Sequence, residues 1–583
     1  MRNGWTGKRL RIDLSLQKAW TEEIPPQDMD SGVGGRTLNG KFLLEQAPSC
    51  TSPSSPESFI CLAVGPLAGT PAPCSGWTSI SALSPLSDPP GYVHASMPGH
   101  WGPQLKFAGF DQCIITGRGD HPIYLWMDGH KVRFEDARML WGKDIAETTV
   151  TIQDEKEDRN AEILCIGPAG ERGVAFANVA SRFSWTADHV GLGYSFGAKN
   201  LKAIAIRGSQ PVMINRPDFF LDRCLALSKR LDRDEIGTRL KEEGTFFFLG
   251  NEGTGLGVKN FHGMSSPEQE ENWKALYLRE FLYGREGCFS CPVHCGRVTH
   301  TGRDYFGGIH LEGAWSLGPR IGIDDWPSTI RLYRLCQAMG LDPCSAGSLL
   351  SWMMDGFEER VLSGQELRSM ECHWGDAEAA LRILDQIVSG KESGEMFRHG
   401  SLGAAKALGK GLDLVAHAHG MDLPVRDPRS SMEYAVSLAL FPADWDYLRS
   451  VSSKDLSTPS GLGANEPGAT GSTVDELKIL ADITSFCPLV VARFRLIPIS
   501  DIAELTRAAT GCETDTSVLM QEVRKTIQIE MKLSEKTNSG KSTLDALAPR
   551  FFKDPSSGRP PLSKDLFERE LSMQINGRTG TTG

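Results

Sequence analysis

Apolar and polar residues alternate through Leu10, Ile12 and Leu14, the period of a strand with one buried face. Short apolar runs closed by turn residues follow: CIITG at 113–117, PIYLWM at 122–127, KVRFE at 131–135 and LKAIAIRG at 201–208. Asp128-Gly129, between two of these runs, predicts a hairpin. The Pro- and Ser-rich stretch 47–58 predicts an exposed loop. After about residue 212 the period becomes helical. Leu332, Leu335, Cys336 and Met339 fall at i, i+3, i+4 and i+7, with Asp325 as N-cap, Pro327 in the first turn and Gly340 as the stop. A second helix is predicted from Asp376 to Gly390. A third starts at Ser472, with Asp475 three residues on as a capping-box variant, and runs through Leu477, Leu480 and Ala481. A fourth carries Leu519, Val523, Ile527 and Met531. Strands first and helices afterwards predict an α+β chain with separate domains, not a doubly wound sheet.

Charge and composition narrow the function. Lys+Arg 62 against Asp+Glu 73 gives a net charge of −11 over 583 residues, with no basic tract, which argues against nucleic acid as a partner. No apolar run is long enough to span a membrane. The start, MRNGWTGKRLRIDLSL, lacks the apolar core of a secretory signal, so a cytoplasmic protein with reduced thiols is expected. The 14 cysteines then read as buried thiols or metal ligands. Cys50, Cys61, Cys74, Cys113, Cys165, Cys224, Cys336, Cys344, Cys372 and Cys512 are scattered and read as core thiols.

Two nucleotide-like motifs fail. GLGYSFG at 191–197 has a glycine-loop look, but a strand-like segment follows it where a dinucleotide site needs a helix. Gly540-Lys541-Ser542 resembles the end of a phosphate loop, yet the upstream glycine position holds Glu535. The motif that holds is Cys288-Phe-Ser-Cys291-Pro-Val-His-Cys295. Three thiolates within eight residues can converge on one metal centre: an iron–sulfur cluster completed by a distant cysteine, or zinc completed by His294 or a distant residue; the bland alternative is that they bind no metal.

Further segments carry a resemblance. GPLAGTPAPCSGWTSISALSPLSD (65–88), WGPQLKFAGFDQCIITG (101–117), IGPAGE (166–171), GAKNLKAIAIRG (197–208), NEGTGLGVKNFHG (251–263), SLGPRIGIDD (316–325), MGLD (339–342) and DLPVRDPR (422–429) resemble, in order, segments of the aldehyde:ferredoxin oxidoreductases. The resemblance implies a two-sheet, β-rich pterin-binding base over 1–210. It implies two mainly helical domains over it, 211–415 and 416–583. It implies tungsten, or molybdenum, held by two pterins, with magnesium bridging their phosphates as an option. In the family a DxxGL(D/C) motif from each helical domain meets a pterin. The first copy here is Gln337-Ala-Met-Gly340-Leu341-Asp342, with Gln337 for Asp. The second is Asp482-Ile-Thr-Ser485-Phe486-Cys487, with Ser485 and Phe486 for Gly and Leu. Cys487 thereby becomes the fourth ligand of a [4Fe–4S] cluster with Cys288, Cys291 and Cys295. Both motifs sit at predicted helix ends, where unpaired backbone groups are expected to meet pterin edges.

The departures fall close to the implied centre. The family's two phosphate-side arginines are replaced by Trp77 and His189, which leaves Lys199, Ser96, His189 and backbone amides to hold the pterins. The family's catalytic Glu is matched by Glu312. Its His is not: the local sequence is LALFPADWDYLRS, so Asp444 or Asp446 is expected to assist in acid–base work. Cys344, two residues past the first motif, is either a packed thiol or a direct metal ligand. The implied activity is oxidation of a small carbonyl compound, an aldehyde to its acid, with Glu312 as general base on water or hydrate. The metal would be the Lewis acid and two-electron acceptor, and the cluster would pass electrons to ferredoxin or a partner iron–sulfur subunit. A homodimer or a subunit of a larger complex fits that role. Two alternatives stand beside it: a reductase active-site subunit like that of class II benzoyl-CoA reductases, and a non-catalytic, cluster-bearing relay subunit that has lost its pterins.

Overall fold

The computed structural model describes residues 2–48, 52–182, 185–187, 189–250, 256–302, 304–366, 370–391, 394–440, 473–537, 545–553 and 559–579. Twelve short strands build two six-stranded sheets before residue 208. The first sheet uses β1 (Lys8–Asp13), β2 (Lys18–Glu23), β3 (Ile60–Ala63), β4 (Thr78–Leu83), β5 (Tyr92–Met97) and β6 (Gln112–Thr116), in the order β2-β1-β6-β3-β4-β5. The second uses β7 (Ile123–Asp128), β8 (Lys131–Asp136), β9 (Glu162–Cys165), β10 (Ala180–Ser181), β11 (Trp185–Thr186) and β12 (Leu201–Arg207), in the order β11-β10-β9-β12-β7-β8. Each sheet is mixed: only β1–β6 and β7–β12 run parallel.

The side-chain period of two explains why the sheets face each other. Ile60, Leu62, Cys113 and Ile115 point into the same core as Leu125, Met127, Leu164, Ile204 and Ile206. Their neighbours point the other way. Cys61, Ile114 and Leu83 bury against Phe42 and Leu43 of the helix Arg36–Gln46, and Tyr124, Trp126, Ile163 and Ala205 bury against Ile145 and Ile152 of the helix Ile145–Glu155. The hairpin at Asp128 forms, although its two loop residues are Gly129 and His130, with Gly129 left-handed (φ 56°). GLGYSFG forms a short helix, Leu192–Ala198, entered at Gly191 from β11 and followed by β12.

The remainder is mainly helical. The helix Trp326–Met339 has Asp325 accepting from the Ser328 amide at its start and left-handed Gly340 (φ 72°) at its end. The helix Ala377–Ser389 is capped by Asp376 and stopped by Gly390. The helix Val474–Thr484 opens with a capping box of Thr473 and Glu476, one residue beyond the pair read from sequence; Ser472 lies outside the described residues. The helix Thr516–Thr537 buries Leu519, Val523 and Ile527. One buried core continues from the sheets into helices between residues 311 and 440 and on to Leu571. A second core gathers Phe220, Cys224, Leu227 and Leu231 of the helix Pro217–Arg233 with Leu477–Phe486, Ile499–Ala509 and Leu519–Ile527. Cys74, Trp77, Cys291 and Cys487 belong to that second core, so the cysteine motif meets the sheet region there.

Candidate active site and metal centre

Both helix-end motifs dock their backbone onto the sheet region. At the first, the Asn178 amide donates to Gly340 O (2.9 Å), Asn178 Nδ2 to Leu341 O (3.3 Å), and the Asp342 amide to Phe176 O (2.9 Å). At the second, the Gly34 amide donates to Ile483 O (2.8 Å), Ser79 Oγ to Asp482 O (3.2 Å), and the Trp77 amide to Ser485 O (3.3 Å). The approach is close: a Cβ on Gly35 would lie 2.3 Å from Asp482 O. These helix-end backbone groups thus pair with the sheet region. Ser485 keeps the left-handed turn that Gly340 makes (φ 67° against 72°). Its hydroxyl accepts from the Gly65 amide at 2.7 Å, which offsets part of the roughly 1–2 kcal/mol a side chain costs in that conformation.

The side chains behind the first motif form a buried polar site. His189 Nδ1 lies 3.1 Å from Asp342 Oδ2, and its Nε2 lies 3.6 Å from Glu312 Oε2. Asp342 also caps the next helix, Pro343–Glu358, accepting from the Cys344 and Ser345 amides (both 3.1 Å) and from Ser345 Oγ (2.7 Å). Burial opposes charge on His189, but the Asp342 carboxylate and the Cys344 sulfur outweigh it and hold its pKa well above the ordinary value. Burial also opposes charge on Asp342, yet His189, Ser345 and the Cys344 amide hold its pKa down. Burial pushes the Cys344 thiol up to about 12 against the pull of His189. Among the described residues, His189, Asp342 and Cys344 are the one set of three potential metal-ligating side chains whose ligand atoms all lie within 4.8 Å. Glu312 is buried in the first turn of the helix Leu311–Leu317. Asp422 was not foreseen: burial raises its pKa to about 6 although Ser401, Arg320 and Ser345 act against that, and Asp342 adds to it.

A second polar group surrounds Asp482. Ser96 Oγ donates to Asp482 Oδ1 (2.5 Å); Arg36 NH1 (3.0 Å), His94 Nε2 (3.2 Å) and Lys478 Nζ (3.3 Å) approach Oδ2. Arg36 also forks onto Glu530 at 2.6 and 2.8 Å. Burial works against the Asp482 charge, and Lys478, His94 and Arg36 reverse it, so its pKa falls below the carboxylate range. Of the remaining residues inferred from sequence, Gln337 donates Nε2 to Gly307 O (2.7 Å). Lys199 gives its ammonium to the carbonyls of Ser55, Pro56 and Gly117, at the strand ends opposite Gly65. Leu341 and Phe486 are buried. Asp444 and Asp446 lie outside the described residues.

The third group is the thiol cluster. The motif 288–295 fills the loop between the strands Leu282–Glu286 and Gly296–Thr301, with Ser290 and His294 left-handed and exposed. Cys288, Cys291 and Cys295 share one electrostatic neighbourhood with Cys487, and burial and one another's charge push the Cys288 and Cys487 thiols up. Amides partly offset this: Val490 and Leu489 donate to Cys487, and His294 and Val293 to Cys291. A fifth thiol, Cys74, was read from sequence as a core residue. It sits with Sγ 3.6 Å from Cys291 Sγ.

The donor chemistry fits the groups the motifs imply. Four thiols in one loop-and-helix-end pocket suit an iron–sulfur cluster. Their sulfurs form no set of three converging within 4.8 Å among the described residues, as donors about 2.3 Å from one zinc ion would. Beside them, Trp77 Nε1, His100 Nδ1 and Trp185 Nε1 are buried without a hydrogen-bond partner in the described structure, a cost that a polar ligand edge would remove.

Known proteins agree with this arrangement. Residues 9–208 match the family model described as aldehyde ferredoxin oxidoreductase, N-terminal domain, and residues 224–573 match the model for domains 2 and 3 of the same family. A tungsten-containing aldehyde ferredoxin oxidoreductase from Pyrococcus furiosus is 28% identical over 98% of this chain and 95% of its own. The WOR-like subunit of an aliphatic sulfonate oxidoreductase from the same organism is 26% identical over 83% of this chain and 79% of its own. Among solved structures, the active-site complex BamBC of benzoyl-coenzyme A reductase with 1,5-dienoyl-CoA superposes with a TM-score of 0.83. It is 20% identical, covering 99% of this chain and 95% of that one, and shares the fold.

Proposed function

Because the chain belongs to the aldehyde ferredoxin oxidoreductase family, we propose that it is a tungsten- or molybdenum-dependent bis-pterin enzyme. It oxidises a small aldehyde to the carboxylic acid, consuming one water and releasing two electrons and two protons. Cys288, Cys291, Cys295 and Cys487 would hold a [4Fe–4S] cluster, which would supply one-electron transfer to ferredoxin or an iron–sulfur partner subunit. When bound, the metal–pterin group supplies a Lewis acid and a two-electron acceptor. The observation that carries the reading is Glu312 facing His189 at 3.6 Å behind the first helix-end motif. His189 Nδ1 faces Asp342 and its Nε2 turns toward Glu312. Glu312 is then the base that takes a proton from water or from the aldehyde hydrate. Pterin contact is assigned to Trp77, Ser96, His189 and the two motifs, with Asp482 held in place by Arg36 and Lys478. No helix among the described residues is long and apolar enough to cross a membrane.

One observation favours a second reading. The Cys344 sulfur joins His189 and Asp342 within 4.8 Å, so a sulfur stands among the potential ligands behind the first motif. The reading it favours is a reductase active-site subunit acting on a CoA thioester, the compound class bound in the benzoyl-coenzyme A reductase complex that shares this fold. One experiment separates the readings: anaerobically purified protein is analysed for tungsten, molybdenum, pterin, iron and sulfide, then assayed with aldehydes and with a cyclic dienoyl-CoA against a viologen. Aldehyde turnover supports the first reading. Dienoyl-CoA turnover alone overturns it in favour of the second, and a full cluster without pterin overturns both.

A further inference from the structure

Cys74 stands at the junction of the thiol loop and the second helix-end motif. Its Sγ donates to Cys291 Sγ across 3.6 Å. Its amide donates to Ser290 O (2.9 Å), inside the thiol motif, and its carbonyl accepts from the Cys487 amide (2.8 Å). One residue therefore touches two of the four cluster cysteines, Cys291 at its sulfur and Cys487 at its backbone amide. The contact is built rather than incidental. Cys74 is fully buried and holds a left-handed conformation (φ 63°), which costs a non-glycine residue roughly 1 kcal/mol or more. Two residues on, the backbone is pinned as well, since a Cβ on Gly76 would fall 2.7 Å from Gly99 O and 3.0 Å from Phe289 Cβ.

We propose that Cys74 is a positioning residue for the iron–sulfur cluster: it remains a thiol, donates its S–H to the Cys291 sulfur, and raises the cluster's reduction potential. The inference rests on the cluster assignment made above. A ligating Cys291 is a thiolate and has no proton to give, so the hydrogen bond runs from Cys74 to Cys291. Reduction adds negative charge to the cluster and its sulfurs, and a donor aimed at one of those sulfurs stabilises the reduced form more than the oxidised form. The step moves no atom and needs no co-reactant; it shifts the one-electron equilibrium between cluster and pterin centre.

The test is a redox titration of the anaerobic holoprotein followed by electron paramagnetic resonance. The proteins are wild type, Cys74→Ala and Cys74→Ser, with iron and sulfide measured on each. Cys74→Ala is expected to keep its cluster and to disfavour reduction about tenfold, a midpoint about 59 mV more negative for one electron. Cys74→Ser retains a donor and should recover part of that shift, which a packing defect would not. In deuterated buffer, pulsed spectroscopy of the reduced cluster should lose a coupled exchangeable proton in wild type that is absent in Cys74→Ala. A loaded cluster whose midpoint agrees within twofold among the three proteins overturns the role of Cys74 alone. Wild-type protein without iron and sulfide overturns the cluster assignment and this inference with it. Should Cys74→Ala fail to fold, Cys74→Ser with the deuterium measurement decides the matter.

Discussion

Glu312→Gln separates proton transfer from charge pairing. The substitution keeps the shape of the side chain and removes its ability to take a proton. As a general base, Glu312 is worth typically 10²–10⁴ in rate, so turnover per bound tungsten with an aldehyde and a viologen acceptor should fall by about that factor. The structural cost is separable. Glu312 stands 3.6 Å from His189, and the gross attraction at an effective dielectric near 20 is about 4–5 kcal/mol. Asp342, at 3.1 Å, offers His189 about 5 kcal/mol on the same basis and remains in the variant. His189 therefore stays charged, and after the relief of desolvating one fewer carboxylate the loss in stability should be about 1–2 kcal/mol. Tungsten, iron and sulfide contents should match wild type. If Glu312 serves only as a partner for His189, the outcome reverses: cofactor content or thermal midpoint drops while turnover per tungsten stays near wild type. That result would refute the assignment of the base.

Two further predictions bear on other parts of the site. Cys487→Ser removes the fourth thiolate, so iron and sulfide should drop well below the roughly four of each per chain expected of a loaded cluster, with tungsten retained; an unchanged cluster spectrum would exclude Cys487 as a ligand. Asp422 is the pH probe: its carboxyl is raised from 3.8 to about 6, so the folded state holds a proton that the unfolded state has lost. Stability of the apo chain should fall by about 3 kcal/mol as pH rises from about 4 to about 6, and Asp422→Asn should abolish that dependence. Urea midpoints of the two proteins at pH 4.5 and 7.5 measure it: a gap that does not widen with pH refutes the shift.

Much of the fold was legible because periodicity is local. Leu10 and Ile12 lie in β1 and Leu14 just past its end, all three in one core; Asp325 and Gly340 bracket a helix where their chemistry says they should. What periodicity leaves open is which elements share a core. The helix Pro217–Arg233 packs with Ile499–Thr510, nearly 300 residues later, and no pattern within either segment says so. The same limit governs the site. Cys288, Cys291 and Cys295 announce themselves by spacing, whereas Cys74 reaches them only through the docking of a loop from the first sheet. Arg36, His94 and Lys478 come from three separate elements and meet at Asp482. Lys199 gathers three loop carbonyls from two separate segments, which no local pattern announces.

The two helix-end motifs share a local construction beyond their sequence likeness. In each, a helix stops at a left-handed residue, Gly340 or Ser485, then a buried apolar residue, Leu341 or Phe486, then the sixth residue and a proline, Pro343 or Pro488. In the first copy the sixth residue caps the next helix: Asp342 accepts from the amides two and three residues on, Cys344 and Ser345. In the second, one turn of π-helix, Leu489–Arg493, follows without a side-chain cap, and the nearby Leu489 and Val490 amides act on Cys487 only to lower its raised pKa. Proline suits the position between, because it needs no acceptor there and its φ is already helical. Two convergent amides at a helix start stabilise an anion whatever its element. The first copy thus ends in a carboxylate that holds His189, which faces Glu312. The second ends in a thiol that shares its surroundings with Cys291 and Cys295. Asp342→Ala should therefore uncap the helix Pro343–Glu358 and cost about 1 kcal/mol of stability, read as a lower thermal midpoint; an unchanged midpoint would refute the cap.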